Sequence, residues 1–236
     1  TLDAFGAADG PLASLLRLSG RTIHAEGEIA GDGDAGEGDV VLRAGDQEMA
    51  RARINWTERD WRAGGRVDVE GWGVVPESYR DLAGDADIVA EGSREAGFTF
   101  TRLEAETSSG SATLAPAGEN AWTVSARAGT GTIAALTSGR VTARTASWSG
   151  RVETGGGLRL DGELTAEALA VDYVTADRVS GPVTVVRRDG RYIIESRLDL
   201  QSPHLAVEQA APLIGDTAAL DFAGTWDGQA RALEID

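Results

Sequence analysis

Apolar and polar residues alternate with a period of two along most of the chain, which predicts β-strands with one apolar and one polar face. The stretch RTIHAEGEI, for example, places Ile23 and Ile29 on one face and His24 and Glu28 on the other. The same alternation occurs in MARARINW, GLRLDGELTAEA, RYIIESRLDLQ and LDFAGTW. In GLRLDGELTAEA it assigns to the apolar face Leu158, Leu160, Gly162, Leu164, Ala166 and Ala168. Strands of this kind are typical of antiparallel sheets, in which one face is solvated.

Glycine-rich and polar turn sequences separate the predicted strands, so consecutive strands are expected to form a meander. Asp189-Gly190, between VTVV and YIIESRLDL, is a strong hairpin signal. Helix signals are confined to three short segments, 9–20, 76–84 and 208–216. A strand is also expected after GTGTIAA, with no alternation of strands and helices there. The predicted helices are too few and too short to cover so many strands.

The composition of the apolar face favours a sheet that curls around its own interior. Many inward positions are Ala or Gly, and aromatic residues make up only 6% of the chain. Two facing sheets about 10 Å apart need bulkier side chains to fill the gap between them. We therefore predict a mainly β fold, an elongated and twisted antiparallel sheet curled into a groove, with a few short helices. It would form one continuous β-rich segment, 1–236, with sub-segments 1–128 and 129–236.

Two other architectures compete with the groove. In a closed β-sandwich the apolar faces pack together, and function, such as binding or adhesion in the bacterial envelope, lies in the loops. A transmembrane barrel would need aromatic girdles. Aromatic residues do not cluster at the predicted strand ends, which makes the barrel the weakest of the three.

Charge and composition remove several classes of function. The formal net charge of -16 disfavours nucleic acid as a partner. The chain has no cysteine, and all its basic residues are arginine, which removes thiolate chemistry and every mechanism that needs a lysine. There is no apolar run of about 18 residues that would span a bilayer. The chain begins at Thr1 and its single methionine is Met49, so we expect it to be a piece of a longer protein.

Glycine motifs and acidic clusters give no convincing cofactor or metal site. Gly31, Gly33 and Gly36 match G-x-G-x-x-G, but Asp32 and Asp34 lie between them and would repel phosphate. The acidic residues of this turn match no calcium-loop spacing and are interpreted as a solvated turn.

Catalytic signatures are also lacking. The two histidines, His24 and His204, are expected on a polar strand face and at a loop edge, and no G-x-S-x-G motif lies near either. We predict a protein that is not an enzyme and has no cofactor and no metal.

The succession of alternating strands with Ala-, Gly- and Leu-rich inner faces resembles the AsmA-like superfamily of Gram-negative envelope proteins, and most closely the TamB family. The resemblance is carried by stretches such as AAPLIGDTAALDFAGTWDGQARALEID and ALAVDYVTADRVSGPVTVVRRDGRYIIESRLDLQSPHLAV. A YdbH-like family would look similar. The resemblance implies a periplasmic β-taco, anchored in the inner membrane by a segment outside this chain, that passes phospholipids between the two membranes.

The partners implied by the resemblance are phospholipid acyl chains and, through regions outside this chain, an outer-membrane TamA-like barrel protein. An apolar groove would lower the cost of about 0.8 kcal/mol for each CH₂ that leaves the bilayer. The residues predicted to line it are Ile23, Ile29, Leu158, Leu160, Leu164, Tyr192, Ile194, Leu198, Leu200, Leu220 and Phe222. For any one position, an ordinary core role is an equally good interpretation.

Overall fold

The computed structural model describes residues 1–7, 21–68, 84–95, 99–137, 139–172, 174–188, 190–206, 215–227 and 232–235. The mainly β prediction is confirmed: these residues form a single-layered antiparallel sheet that is not closed. The chain has two compact units, Thr1–Ser111 and Ala112–Asp236, a different boundary from that of the predicted sub-segments 1–128 and 129–236. The predicted helices 9–20, 76–84 and 208–216 lie almost entirely outside the described residues.

The first unit is an antiparallel meander in which each strand pairs with the next one along the chain. Its strands are β1 (Leu2–Gly6), β2 (Ile23–Gly31), β3 (Gly36–Ala44), β4 (Gln47–Trp56), β5 (Asp60–Asp68), β6 (Asp85–Ser93) and β7 (Thr99–Thr107). The next strand, β8 (Gly110–Gly118), contains the boundary between the units.

Strand register sorts the residues of the first unit into two faces, because directly opposed residues of antiparallel strands point to the same side. One side is apolar along the central rows that cross the sheet. A central row reads Gly27, Val40, Ala52, Gly65, Ile88 and Ala105. The next row reads Ile29, Gly38, Ile54, Ala63, Ala90 and Leu103. We call this side the first apolar face, and the alternation predicted from the sequence is confirmed on it.

The described residues of the second unit also form a meander of antiparallel strands, interrupted by one helix. Its elements are β9 (Ala121–Gly129), α1 (Thr130–Leu136), β10 (Val141–Thr142), β11 (Thr145–Glu153), β12 (Arg159–Val171), β13 (Val174–Arg188), β14 (Arg191–Gln201), β15 (His204–Leu205), β16 (Thr217–Asp227) and β17 (Ala232–Ile235). The main pairing order is β9, β11, β12, β13, β14, β16, β17, and the two short strands β10 and β15 pair with β12 and β13. The predicted hairpin at residues 189–190 is confirmed by the pairing of Arg188 with Arg191.

One side of the second unit is likewise apolar, and we call it the second apolar face. One row across it reads Trp122, Val152, Leu160, Val185, Ile194 and Gly224. Another reads Ala128, Ala146, Ala166, Val179, Leu200 and Ala218. A polar side chain, Ser196, interrupts a further row of this face, opposite Val183 and Phe222.

The predicted place of Ala168 on the apolar face is wrong. Ala168 has φ of 51° and is exposed, whereas its neighbour Leu169 packs against the cluster that contains Ala166. A left-handed residue inside a strand interrupts the strict alternation of side chains. The face therefore continues through Leu169 instead of Ala168.

The opposite sides of both sheets carry charged residues that form exposed ion pairs between and along strands. Arg53 and Asp39 are directly opposed on β4 and β3, with Nη2 3.0 Å from Oδ2. Hydrogen bonds from Arg53 are the main cause that lowers the pKa of Asp39 below its usual value. The Arg159 guanidinium has the same effect on the pKa of Asp161. Because a lowered carboxyl pKa means that the folded state favours the charged form, both pairs hold at neutral pH and are lost as the pH falls through the lowered pKa values.

Adjacent glycines in β5 show which way the first sheet curves. Gly65 lies on the apolar side, and a Cβ built on it would fall well within 3.0 Å of the carbonyl oxygen of Arg51 on the neighbouring strand. Gly64 lies on the polar side, where the nearest atoms to such a Cβ are 4.0 Å away. The neighbouring backbone therefore rises toward the apolar side, which makes that side concave. Glycine in a strand marks this kind of close approach and bend.

The same approach occurs in the second unit. A Cβ on Gly150 would fall within 3.0 Å of the Asp161 carbonyl oxygen, and one on Gly162 within 3.0 Å of the Ser149 carbonyl oxygen. Both glycines lie on the apolar side of their strands. The second sheet is therefore concave on its apolar face as well.

Fully buried residues form small clusters toward one end of each concave face. In the first unit, Ile23, Ala44 and Met49 pack together, with Leu42 against them. In the second unit, α1 places Ile133 against Ala166 and Ala143, and a further cluster contains Val179. Apart from these clusters, the described strands make their extensive contacts with the strands beside them in the same layer. The middle rows of both faces are thus packed chiefly by their neighbours within the sheet.

The paired glycines of β5 provide a test of the curvature. Gly65→Ala is expected to lower the free energy of unfolding by about 1–3 kcal/mol, because the new methyl group overlaps the β4 backbone. Gly64→Ala is expected to be neutral or to stabilise by up to about 1 kcal/mol, since its Cβ meets open space and the unfolded chain loses entropy. Urea unfolding of both variants measures the difference, and equal midpoints would show that the sheet does not bend toward the apolar side.

Candidate functional site

The predicted groove residues of the second unit come together on one concave surface. Leu160 is followed across the sheet by Val185 and Ile194, and Leu198 is directly opposite Leu220. Eight of the predicted residues lie on the second apolar face, namely Leu160, Leu164, Tyr192, Ile194, Leu198, Leu200, Leu220 and Phe222. Ile23 and Ile29 lie on the first apolar face, in the other unit.

Exposure divides the predicted residues into two groups. Ile23 is 1% exposed and Leu200 is 8% exposed, so both belong to the buried clusters and present almost no surface to a ligand. Ile29 and Leu220 are 51% and 49% exposed, which is high for large apolar side chains. Most other residues of the two faces are half-buried. The accessible apolar surface therefore lies along the middle rows and away from the buried clusters.

Leu158 lies just before β12 and marks an end of the second apolar face. Its carbonyl oxygen accepts a hydrogen bond of 2.8 Å from the backbone N–H of Arg187, which places it opposite that residue. The next residue across, on β14, is Tyr192. We call Leu158, Arg187 and Tyr192 the rim row, because it is the last row of the second apolar face at this end; the next pair, Arg188 and Arg191, lies on the opposite face. The rim row adjoins a polar cleft of about 390 Å³ that Leu158 and Arg187 help to line.

Tryptophan rings cover glycines along both faces. A Cβ on Gly162 would come within 3.0 Å of the Trp148 ring, which also covers Gly150. In the first unit, Trp61 covers Gly92 in the same manner, and its indole N–H donates a 3.1 Å hydrogen bond to the Thr99 carbonyl. An aromatic ring that covers a strand glycine supplies packing contacts that the missing side chain would otherwise make. These rings make the concave faces smooth and apolar.

The expectation that aromatic residues avoid strand ends is wrong for the first unit. Trp56 and Trp61 are directly opposed at the adjoining ends of β4 and β5, and the Trp56 indole donates a 3.0 Å hydrogen bond to the Asp32 carbonyl. Phe100 follows in the same row, opposite Gly92. The sequence places Trp56 and Trp61 only five residues apart around a turn, which is the signal that identifies this pair.

The residues set aside in the sequence have structural roles. The Asp32 carboxylate accepts hydrogen bonds from the backbone N–H groups of Asp34 and Ala35, and these lower its pKa. His24 lies on the polar face as predicted, with Nε2 2.8 Å from Asp3 Oδ1. No group of three or more His, Cys, Asp and Glu in the described ranges is placed to hold a metal ion.

GTGTIAA itself forms most of α1, Thr130–Leu136, and the elements that follow it are strands as expected, β10 and β11. The Thr137 hydroxyl group stabilises the end of this helix, because it donates a hydrogen bond to the Ile133 carbonyl and accepts one from the Val141 backbone N–H. The strands on either side of α1, β9 and β11, are antiparallel, so the helix is not the crossover of a parallel dinucleotide-binding unit.

Comparison of the chain with family models, curated proteins and solved structures found no match. None of the helical residues described is part of a helix long and apolar enough to cross a membrane. The candidate site is therefore defined by geometry and surface chemistry: two concave apolar faces, each with a polar and charged reverse side.

Two isoleucines on the same face of β2 test the division between core and accessible surface. Ile23→Ala is expected to cost about 2–5 kcal/mol of stability, because it leaves a cavity in a buried cluster. Ile29→Ala is expected to cost about 1 kcal/mol or less, because half of that side chain is already in water. Thermal and urea unfolding provide the measurement, and similar losses for both variants would contradict the division.

Proposed function

We propose that the concave apolar faces carry the acyl chains of phospholipids between membranes of a cell envelope. The observation that carries the proposal is the continuity of apolar side chains from strand to strand on the side toward which each sheet curves. Such a surface removes acyl chains from water, a gain of about 0.8 kcal/mol for each CH₂ buried. The gain depends on contact area and needs no specific bond, so chains of different length can move along it.

The resemblance to AsmA-like and TamB-like proteins supports the same proposal. It adds a periplasmic location, an inner-membrane anchor outside this chain, and a role in outer-membrane biogenesis with a TamA-like partner. In this proposal the chain is a conduit and not an enzyme, because lipid passage makes and breaks no covalent bond. The absence of lysine and cysteine from the whole chain agrees with a surface built for contact rather than for covalent catalysis.

The single-layered sheets disfavour the closed sandwich as the alternative. In a sandwich the middle rows would pack against a second sheet, whereas here the extensive contacts of the described strands are with strands beside them. A binding role confined to loops would also leave the continuous apolar rows without a purpose.

Ile193 and Ile194 are identical neighbours on opposite faces of β14, and they test the proposal directly. Ile194 shares a row with Leu160 and Val185, whereas Ile193 is opposite Val186 and Thr225 on the other side. Ile194→Glu is expected to reduce co-purified phospholipid, measured by mass spectrometry, several-fold, because a carboxylate on the apolar face must be desolvated when acyl chains bind. Ile193→Glu is the matched control and is expected to retain the lipid.

Circular dichroism and unfolding midpoints of the two variants complete this experiment. Both are expected to keep their strand signal. Unfolding of Ile194→Glu alone would show that the face is a packed core, and equal lipid content in both variants would show that lipid does not bind there. Combining Leu160→Glu with Ile194→Glu is expected to deepen the loss of lipid, since both residues lie in one row.

A further inference from the structure

The rim row of the second apolar face combines an apolar surface with one cationic group. By the alternation of β13, Arg187 is on the same side as Val185 and Val183, at the end of the strand. Its side chain turns toward the apolar face, because Cζ lies 5.7 Å from the centre of the Tyr192 ring. Contact with an aromatic ring restrains the guanidinium through cation–π attraction and leaves its N–H donors available.

Arg187 differs from the other two arginines of the cleft in its partners. Arg151 and Arg159, which line the same cleft, are paired with Glu153 and Asp161. No carboxylate among the described residues forms an ion pair with Arg187. Among the described residues, Arg187 thus combines a place at the edge of an apolar surface with the lack of a carboxylate partner, in a chain whose net charge is -16. Glu119 and Glu153 also line the cleft, and Glu153 is the partner of Arg151.

The length of the apolar surface beyond Arg187 matches an acyl chain. From Arg187, the half-buried apolar residues of β13 extend back to Val183, four residues or about 13 Å at a strand rise of about 3.3 Å per residue, because Val179 beyond them is buried. The hydrocarbon region of one leaflet is about 15 Å thick, half that of a bilayer. A lipid with its phosphate at Arg187 can therefore lay most of the length of its chains along β13 without leaving the apolar face.

We propose that Arg187 binds the phosphate of a phospholipid whose acyl chains lie along β12, β13 and β14. The guanidinium donates hydrogen bonds to the phosphate oxygens, in the geometry that arginine–phosphate pairs favour. Tyr192 restrains the guanidinium, and Leu158 contributes apolar surface at the start of the chains. This inference rests on the proposed function and adds the orientation of the lipid, with its headgroup at the rim and its chains parallel to the strands.

Short-chain lipids below their micelle concentration test the assignment by calorimetry. The probes are dihexanoyl phosphatidylcholine, dihexanoylglycerol, which has the same chains without a phosphate, and inorganic phosphate. Arg187→Gln is expected to weaken binding of the phospholipid about tenfold, the loss of charge-assisted hydrogen bonds, and to leave dihexanoylglycerol unchanged. Arg188→Gln, one residue away on the opposite face, is the matched control and is expected to change neither affinity.

Three results would overturn the inference: unchanged phospholipid binding by Arg187→Gln, equal weakening for both lipids, or binding of inorganic phosphate as tight as that of the phospholipid. Arg187→Lys keeps the positive charge but lacks the planar guanidinium, so it is expected to lose less phospholipid affinity than Arg187→Gln. Misfolding of the glutamine variant alone would not produce this graded loss. If the unaltered protein binds dihexanoylglycerol and Arg187→Gln has no effect, the inference fails while the proposed function stands. If the unaltered protein binds neither lipid, the result contradicts the proposed function itself.

Discussion

The register of antiparallel pairing is the constraint on which the rest of the structure depends. Side chains alternate with a period of two, so a slip of one residue between neighbouring strands would bring charged side chains such as Arg53 and Asp39 to the apolar side. The concave faces, the ion pairs and the rim row all follow from one consistent register within each unit. Opposed charges such as Arg62 and Glu91 favour that register, although each exposed pair contributes at most about 1 kcal/mol.

A single-layered sheet also changes where stability comes from. Most globular domains bury their apolar side chains between two layers, but here the described middle rows have neighbours mainly within the sheet. The backbone ladder and the same-face contacts of residues such as Leu198 and Leu220 therefore have a larger share in stability than usual. Compact clusters, such as that of Ile23 and Met49, add stability toward one end of each apolar face. Curvature also brings the side chains of each concave face closer together.

Much of this architecture could be predicted from alternation alone, including the faces of Ile29, Leu160 and Ile194. The sequence was less informative where a backbone conformation or a long-range contact decides the outcome. The left-handed conformation of Ala168 is unusual for alanine, and alternation gives no sign of it. The direction of curvature depends on neighbouring strands that approach Gly65, and the exceptional position of Arg187 depends on a register shared with Tyr192. None of these is encoded in a local pattern of apolar and polar residues.

The indole of Trp148 lies half-buried on the glycines of the second concave face, in the row that also contains Leu164 and Leu198. Its ultraviolet emission is thereby coupled to the polarity of whatever medium occupies that surface. The molecule consequently contains its own optical reporter at the place where water and hydrocarbon would exchange.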